Sequence, residues 1–314
     1  MYSLIGITAS CCLGKTFRVE YVIVDRISNS HEKINCALAV RALSPIHAGP
    51  QSVRCFMPGS EAELAGLLPA LSDPVVLGGC TNLLLGDFMA DYPKFVSLRQ
   101  MHSILSDPPY LKAQAGALLS ELIRAALPFS AAPAPLSGIP GTVGGALNGN
   151  AGAFGAAIGD FVKSVTCLDS SGKSLAIPAS GCGFAYRESI FRKNRNLIIV
   201  SAEFCFPTSA GGEERAKEIL ALRRKNGLYE QPSLGSFFKN PGNDFAGRLI
   251  ESAGLKGFRI GDAAVSTRHA NIIVNLGNAT VSDIAEVAKT CKETVLKLYN
   301  ITLEPEVITY GFNI

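Results

Sequence analysis

Apolar positions first recur at the two-residue spacing of strands. LIGIT (4–8) and FRVEYVIVD (17–25) read as strands, with a polar Ser-Asn-Ser-His turn at 28–31. From Gln51 the pattern alternates between strand and helix: VRCFMP as a strand, a helix over 61–71 opened by Ser60, then the strand PVVLGG running into the turn GGCTN. LKAQAGALLSELIRAAL (111–127) repeats the α/β alternation, and VKSVTCLDSSGKSLAIP (162–178) is a hairpin on a Ser-Ser-Gly turn. LIIVSAEFCF, closed by Pro207, is a strand, and the small polar segment 208–212 marks a domain boundary. Helices follow over 213–227 and 244–253, the second stopped by Gly254. A capping-box-like start, Thr280-Val-Ser-Asp283, opens the last helix. Its helical spacing predicts a buried stripe of Ile284, Val287, Ala288, Cys291, Val295 and Leu298.

One stretch fits neither period. GIPGTVGGALNGNAGAFG (138–155) holds 7 glycines and no charged side chain in 18 residues. Glycine reaches positive φ cheaply and keeps no Cβ between a ligand and the backbone, so the run argues for main-chain contact with a ligand. A tight packed crossover is the alternative. Neither collagen nor a flexible linker fits, because the glycines lack a three-residue period and Ile139, Val143, Leu147 and Phe154 are interleaved as apolar anchors.

Length and composition bound the function. The 314 residues, 47% hydrophobic and 18% charged, suffice for two or three domains. A net charge of +3 without a Lys/Arg stripe gives no nucleic-acid footprint, and no apolar run is long enough to span a membrane. Arg223-Arg224-Lys225, the one basic triplet, ends a helix, either as a solvated terminus or as an anion contact. Nine cysteines without a C-x-x-C pair indicate neither a disulfide framework nor a metal site, and reduced thiols place the protein in the cytoplasm. The start MYSLIGITASCC lacks the basic residues of an export signal. ASCCLGKT (9–16) almost matches a phosphate loop but has Ala9 where a glycine is needed, and G-x-G-x-x-G is absent.

Six blocks together resemble one family: VLGGCTNLL (76–84), SGIPGTVGGALNGNAGAFG (137–155), YRESIF (186–191), GSFFKNP (235–241), ESAGLKGFRIGDAAVSTRHANIIVNLGNAT (251–280) and LEPEV (303–307). The family is UDP-N-acetylenolpyruvoylglucosamine reductase (MurB), of bacterial cell-wall synthesis. The resemblance implies an α+β chain: a two-subdomain FAD-binding region with the vanillyl-alcohol-oxidase-like fold, then a C-terminal α+β substrate-binding domain. The divisions expected are an unplaced segment 1–40, FAD-binding subdomains 41–92 and 93–207, a substrate-binding domain 208–301 and a tail 302–314. It further implies noncovalent FAD, NADPH as hydride donor, a UDP-sugar enolpyruvyl ether as substrate, and a monomer without nucleic-acid or membrane partners.

By the same resemblance, Gly78, Gly79, Cys80, Thr81 and Asn82 form one FAD-binding turn, and Gly138, Ile139, Pro140, Gly141, Thr142, Gly144 and Gly145 form the other. Asn150, Ala151, Gly152, His269 and Ile272 border the flavin, although His269 is equally readable as a structural histidine. Ser236 is the acid that protonates C2, and Arg187 and Glu306 polarise the substrate carboxylate. Tyr186, Arg224 and Asn240 are substrate contacts. A guanidinium and a carboxyl that can donate suit developing negative charge, and a hydroxyl is a compact proton source. Taken singly, Arg187 could pair with Glu188, Ser236 could be a turn residue and Glu306 a solvated charge. Cys80 replaces the third glycine of the family's first turn, and 44–49 departs from the family's adenine-side segment. The short interval between Arg187 and Ser236 places the chain among members without an extra tyrosine loop. A flavin-binding homologue without activity, or an FAD oxidase of the wider fold, are the competing readings.

Overall fold

The computed structural model describes residues 4–10, 16–22, 36–87, 94–227 and 230–314, with backbone only for 4–10, 16–22 and 36. Residues 11–15 of the near-match to a phosphate loop, and the turn at 28–31, lie outside the described residues. Three sheets organise the rest. The first has six strands in the order Leu4–Ser10, Thr16–Val22, Cys36–Leu38, Val53–Phe56, Phe95–Ser97, Val75–Leu77. Its last three strands are parallel, and the N-terminal hairpin extends its other end in antiparallel pairing. Helix Glu61–Leu67, capped by the Ser60 hydroxyl, provides the crossover. It turns into a 3₁₀ segment at Leu68–Ala70 because Pro69 cannot donate to the α ladder, so it stops short of the predicted Leu71.

The second sheet is antiparallel, in the order Ser174–Pro178, Val162–Leu168, Ile198–Cys205, Tyr110–Gln114, Ile104–Asp107. Helices Leu119–Ala126 and Val143–Asn148 cover one face, with Leu119, Leu122, Val143 and Leu147 fully buried against it. The glycine run is thus folded and packed. Phe154, read from sequence as one of its anchors, is half exposed: it sits at the tip of the hairpin formed by Gly152–Ala153 and Ala156–Ala157, with φ +51°.

The third sheet orders Ser233–Ser236, Ile272–Asn275, Ala263–Val265 and Arg259–Ile260. Helices Ala246–Ser252 and Val281–Tyr299 back one face, where Val265 and Ile273 join Ile284, Val287 and Val295. The last helix opens with the predicted capping box, Thr280 and Asp283. Five of the six stripe residues are buried, but Leu298 is 55% exposed. Four residues after Val295 the inward position falls on Tyr299, which packs on the core instead. After this helix the tail crosses back, and Ile308–Tyr310 pairs in parallel with Leu83–Leu85, the strand that leaves the GGCTN turn.

Ile284→Ala should therefore cost about 2–5 kcal/mol of stability, and Leu298→Ala no more than about 0.5 kcal/mol. Urea unfolding of the two variants separates the buried stripe from its exposed end.

Candidate active site

Two turns rich in glycine lie against each other. A Cβ on Gly78 would fall 2.6 Å from Thr142 Oγ1, one on Gly79 2.8 Å from Gly141 Cα, and one on Gly141 2.8 Å from Thr81 Oγ1. The Thr81 hydroxyl donates to Pro140 O at 3.3 Å. In the first turn, the backbone N–H groups of Gly79, Cys80, Thr81 and Asn82 find no acceptor among the described residues. In the second, the same holds for Gly141 and Thr142, whereas Val143 and Gly144 donate to Ala117 and Ala115 carbonyls. Cys80 has φ +56°, and successive amides around a left-handed residue converge into a concavity for an anion. The facing turns therefore fit a pyrophosphate held by main-chain dipoles, the work inferred from the uncharged run. The Cys80 thiol points away into the core with Val53, Leu77 and Leu85, and burial pushes its pKa up to about 11.

Beyond the turns, Asn150 (φ +42°) donates to Ala185 O at 2.8 Å and accepts from Gly159 N at 3.0 Å. It ties the end of the glycine run to the Tyr186-Arg187 corner. Arg187 occupies that corner at φ +57°, between the bridged residues Ala185 and Glu188. Its Nε donates to Glu306 Oε1 at 2.6 Å, and a second guanidinium nitrogen donates to Gly152 O at 3.0 Å. Arg187 does not pair with Glu188, which takes Lys193 instead. Glu306 is far from the solvated charge its position near the chain end allows. Its side chain is 16% exposed, its N–H donates to Phe237 O at 2.8 Å, and its carbonyl accepts from Asn82 Nδ2 and Arg192, each at 3.1 Å. Burial pushes its carboxyl above the ordinary glutamate value, against the opposing pull of Arg187, Arg192 and Lys239.

Ser236 ends its strand directly before Phe237, the residue that receives the Glu306 N–H, and is open to solvent. Gly235 before it has φ +76°. Ile272 pairs with Ser236, and with Ala264 and Val274 makes a small buried patch on the sheet face opposite the helices. Asn271 holds the neighbouring segment through bonds to both the N–H and the carbonyl of Phe238. Tyr186 stacks near the Arg187 guanidinium at 5.3 Å, and its hydroxyl accepts from Asn240 N at 3.2 Å; the Asn240 side chain accepts from Ala246 N. Arg187, Glu306, Tyr186, Asn240, Asn82 and Gly152 are thus joined through contacts, and Asn150 and Ser236 adjoin them through Ala185 and Phe237.

Two sequence candidates stand apart from that set. His269 accepts from Asn271 N and lies against Gly247, and burial holds its pKa below the ordinary value. These are the contacts of a structural histidine. Arg224 lies exposed near the end of helix Gly212–Lys225, while its neighbour Arg223 turns to the glycine run. Arg223 donates to Ser137 O at 2.9 Å and lies 5.3 Å from the Phe154 ring. Sequence reasoning missed Arg223 as a contact of the run, and it missed Arg192. The basic triplet was the available signal for the first. For Arg192 there was only its place inside YRESIFRKN, five residues after Arg187. Among the described residues no cluster of His, Cys, Asp and Glu could hold a metal, and no helix is long and apolar enough to cross a membrane.

Comparison with known proteins identifies what this chain is similar to. A family model described as an FAD binding domain matches residues 54–177, and one described as UDP-N-acetylenolpyruvoylglucosamine reductase, C-terminal domain, matches residues 227–310. The UDP-N-acetylenolpyruvoylglucosamine reductase of Caldicellulosiruptor bescii is 33% identical over 81% of this chain and 83% of its own length. That of Trichlorobacter lovleyi is 37% identical over 80% and 84%. The crystal structure of UDP-N-acetylenolpyruvylglucosamine reductase (MurB) from Thermus caldophilus superposes with a TM-score of 0.73 at 27% identity, covering 88% of this chain and 98% of that one.

The facing turns carry a direct expectation. Gly79→Ala sets a Cβ against backbone, which cannot move aside as a side chain can, so FAD affinity should fall at least about tenfold, or 1.4 kcal/mol. Flavin fluorescence titration of the apoprotein measures it, and an unchanged dissociation constant would show that the two turns do not hold the cofactor.

Proposed function

The chain belongs to the UDP-N-acetylenolpyruvoylglucosamine reductase family, and on that premise we propose that it reduces UDP-N-acetylenolpyruvoylglucosamine to UDP-N-acetylmuramate, a step in making peptidoglycan precursors. FAD, held noncovalently and reduced by NADPH, would supply the hydride that adds to C3 of the enolpyruvyl ether. The observation that carries the reading is the largely buried Arg187–Glu306 pair, 2.6 Å apart, whose Glu306 main chain is tied to Phe237, next to Ser236, and to Asn82 of the first turn.

The chain's own residues have separable tasks. The turns around Gly78–Asn82 and Gly138–Gly145 hold the pyrophosphate through main-chain N–H groups, with Ala151, Gly152 and Ile272 bordering the ring system. Tyr186 and Asn240 line the approach for the UDP-sugar, and Arg224, outside that set near the end of its helix, would meet the diphosphate. Arg187 offers a fixed guanidinium to the substrate carboxylate, where charge grows as C2 becomes carbanionic. Burial raises the Glu306 pKa above the ordinary glutamate value, and a substrate carboxylate arriving beside it would raise it further. The protonated carboxyl then donates a hydrogen bond to the enolate oxygen. The Ser236 hydroxyl gives its proton to C2, and its exposure lets solvent return one to the oxygen left behind. Every one of these groups comes from one chain, a set that needs no second subunit to complete it and is in keeping with a proposed monomer. Its buried free thiols suit a reducing cytoplasm.

The purified protein should be yellow, release its pigment on acid precipitation, and oxidise NADPH when given the enolpyruvyl substrate. A colourless preparation that takes up no flavin would contradict the reading. Within that assay, Ser236→Ala should leave flavin reduction by NADPH intact and slow reoxidation by substrate about 10²–10⁴-fold. Stopped-flow traces of the two half-reactions locate the defect; equal slowing of both would point to a damaged flavin site.

A further inference from the structure

The carboxyl of Glu306 is carried on a stretch without regular secondary structure. Residues 301–304 have none, and the strand Ile308–Tyr310 begins two residues later. Something other than a ladder must set where that carboxyl points. Its carbonyl oxygen is gripped from two sides, by Asn82 Nδ2 from the flavin-side turn and by an Arg192 guanidinium nitrogen from the Arg187 side, each at 3.1 Å.

Arg192 is itself fixed. It lies in the short helix Ile190–Lys193, whose Ser189 cap accepts its N–H at 3.2 Å and donates to Asn148 O at 2.7 Å. Asn148 ends the helix formed by the glycine run. An unbroken series of bonds therefore links that helix through Ser189 and Arg192 to Glu306. Arg192 also brings a full positive charge to the buried carboxyl. The charged groups around Glu306 come from each neighbouring segment: Arg187, Glu188, Arg192 and Lys193 from one, Lys239 from the second, and Glu304 from its own tail. Glu188 is matched by Lys193 and Glu304 by Lys239, so Arg187 and Arg192 are the cations beside Glu306 without another acidic partner among the described ion pairs.

We propose that Arg192 is a positioning residue for Glu306. It holds the main chain of that residue through the carbonyl and sets the charge environment of the carboxyl, acting together with Asn82. The inference rests on the reductase reading for its kinetic consequence, but its structural content stands without it.

Two measurements on Arg192→Met and Arg192→Lys test it. In stopped flow, Arg192→Met should slow flavin reoxidation by the enolpyruvyl substrate about 10–100-fold while leaving reduction by NADPH within about twofold; the factor is that of a lost charged hydrogen bond. Removing a nearby positive charge disfavours the carboxylate. The limb of the pH–rate profile that Glu306→Gln abolishes should therefore move to higher pH in Arg192→Met, whichever protonation form is the working one. Arg192→Lys, which keeps the charge, should bring that limb back. The second measurement needs no turnover: in ¹³C-glutamate-labelled protein, the carboxyl resonance lost in Glu306→Gln should titrate at higher pH in Arg192→Met by at least about half a pH unit. An active wild type whose Arg192→Met variant keeps its rates and its titration would overturn the proposal alone. Equal slowing of both half-reactions with an unmoved carboxyl titration would reduce Arg192 to a fold residue and overturn it too. An inactive wild type would defeat the reductase reading, leaving the carboxyl titration to decide on Arg192.

Discussion

The structure depends on how one residue near the chain end is tied down. Glu306 is joined to Phe237 through its N–H, to Asn82 and Arg192 through its carbonyl and to Arg187 through its carboxylate, and Ile308 two residues on donates to Asn82 O at 3.0 Å. Those partners come from the turn after the first sheet, from the corner beside the second and from the edge strand of the third. Charged hydrogen bonds are worth about 1.5–3 kcal/mol each, and a buried charge stripped of its partner costs more. The tail therefore adds polar ties among three layers that also share apolar clusters, Leu64 and Val96 packing with the second and Ile46 and Leu84 with the third.

The same junction sets the electrostatics. Burial favours the neutral carboxyl, and Arg187, Arg192 and Lys239 favour the ionised one, with burial the larger effect. One more negative charge nearby, which a carboxylate substrate would bring, adds to the effect of burial and raises the carboxyl pKa further. Holding Arg187 in place requires a left-handed backbone, an arrangement that costs a non-glycine residue about 1–2 kcal/mol. Bonds to Glu306 and Gly152 on its guanidinium, and the Asn150 bond to Ala185 two residues earlier, offset that strain.

Much of this was legible in the sequence, for reasons that differ by element. The period of the last helix and its capping box are local, so Ile284 to Val295 could be assigned, whereas Leu298 failed because the inward position after Val295 falls on Tyr299. The glycine run declared main-chain work through composition, and the structure adds the close approach of Gly79 to Gly141, which no local pattern encodes. Arg187, Ser236 and Glu306 came from matched motifs, since singly each is an ordinary polar residue. The contacts of Arg192, and of Arg223 within its basic triplet, could not be assigned because their partners are main-chain carbonyls 114 and 86 residues away, and a carbonyl carries no sequence signature. The N-terminal strands were readable as strands, yet their place at the edge of the first sheet depends on long-range pairing.

Arg187 and Glu306, joined at 2.6 Å, work as one unit. A double-mutant cycle on the rate of flavin reoxidation by the enolpyruvyl substrate, with Arg187→Met, Glu306→Gln and both together, tests it most directly. Strong non-additivity is expected, with the double variant scarcely slower than the slower single one. Losses that multiply, as for residues acting independently, would contradict it.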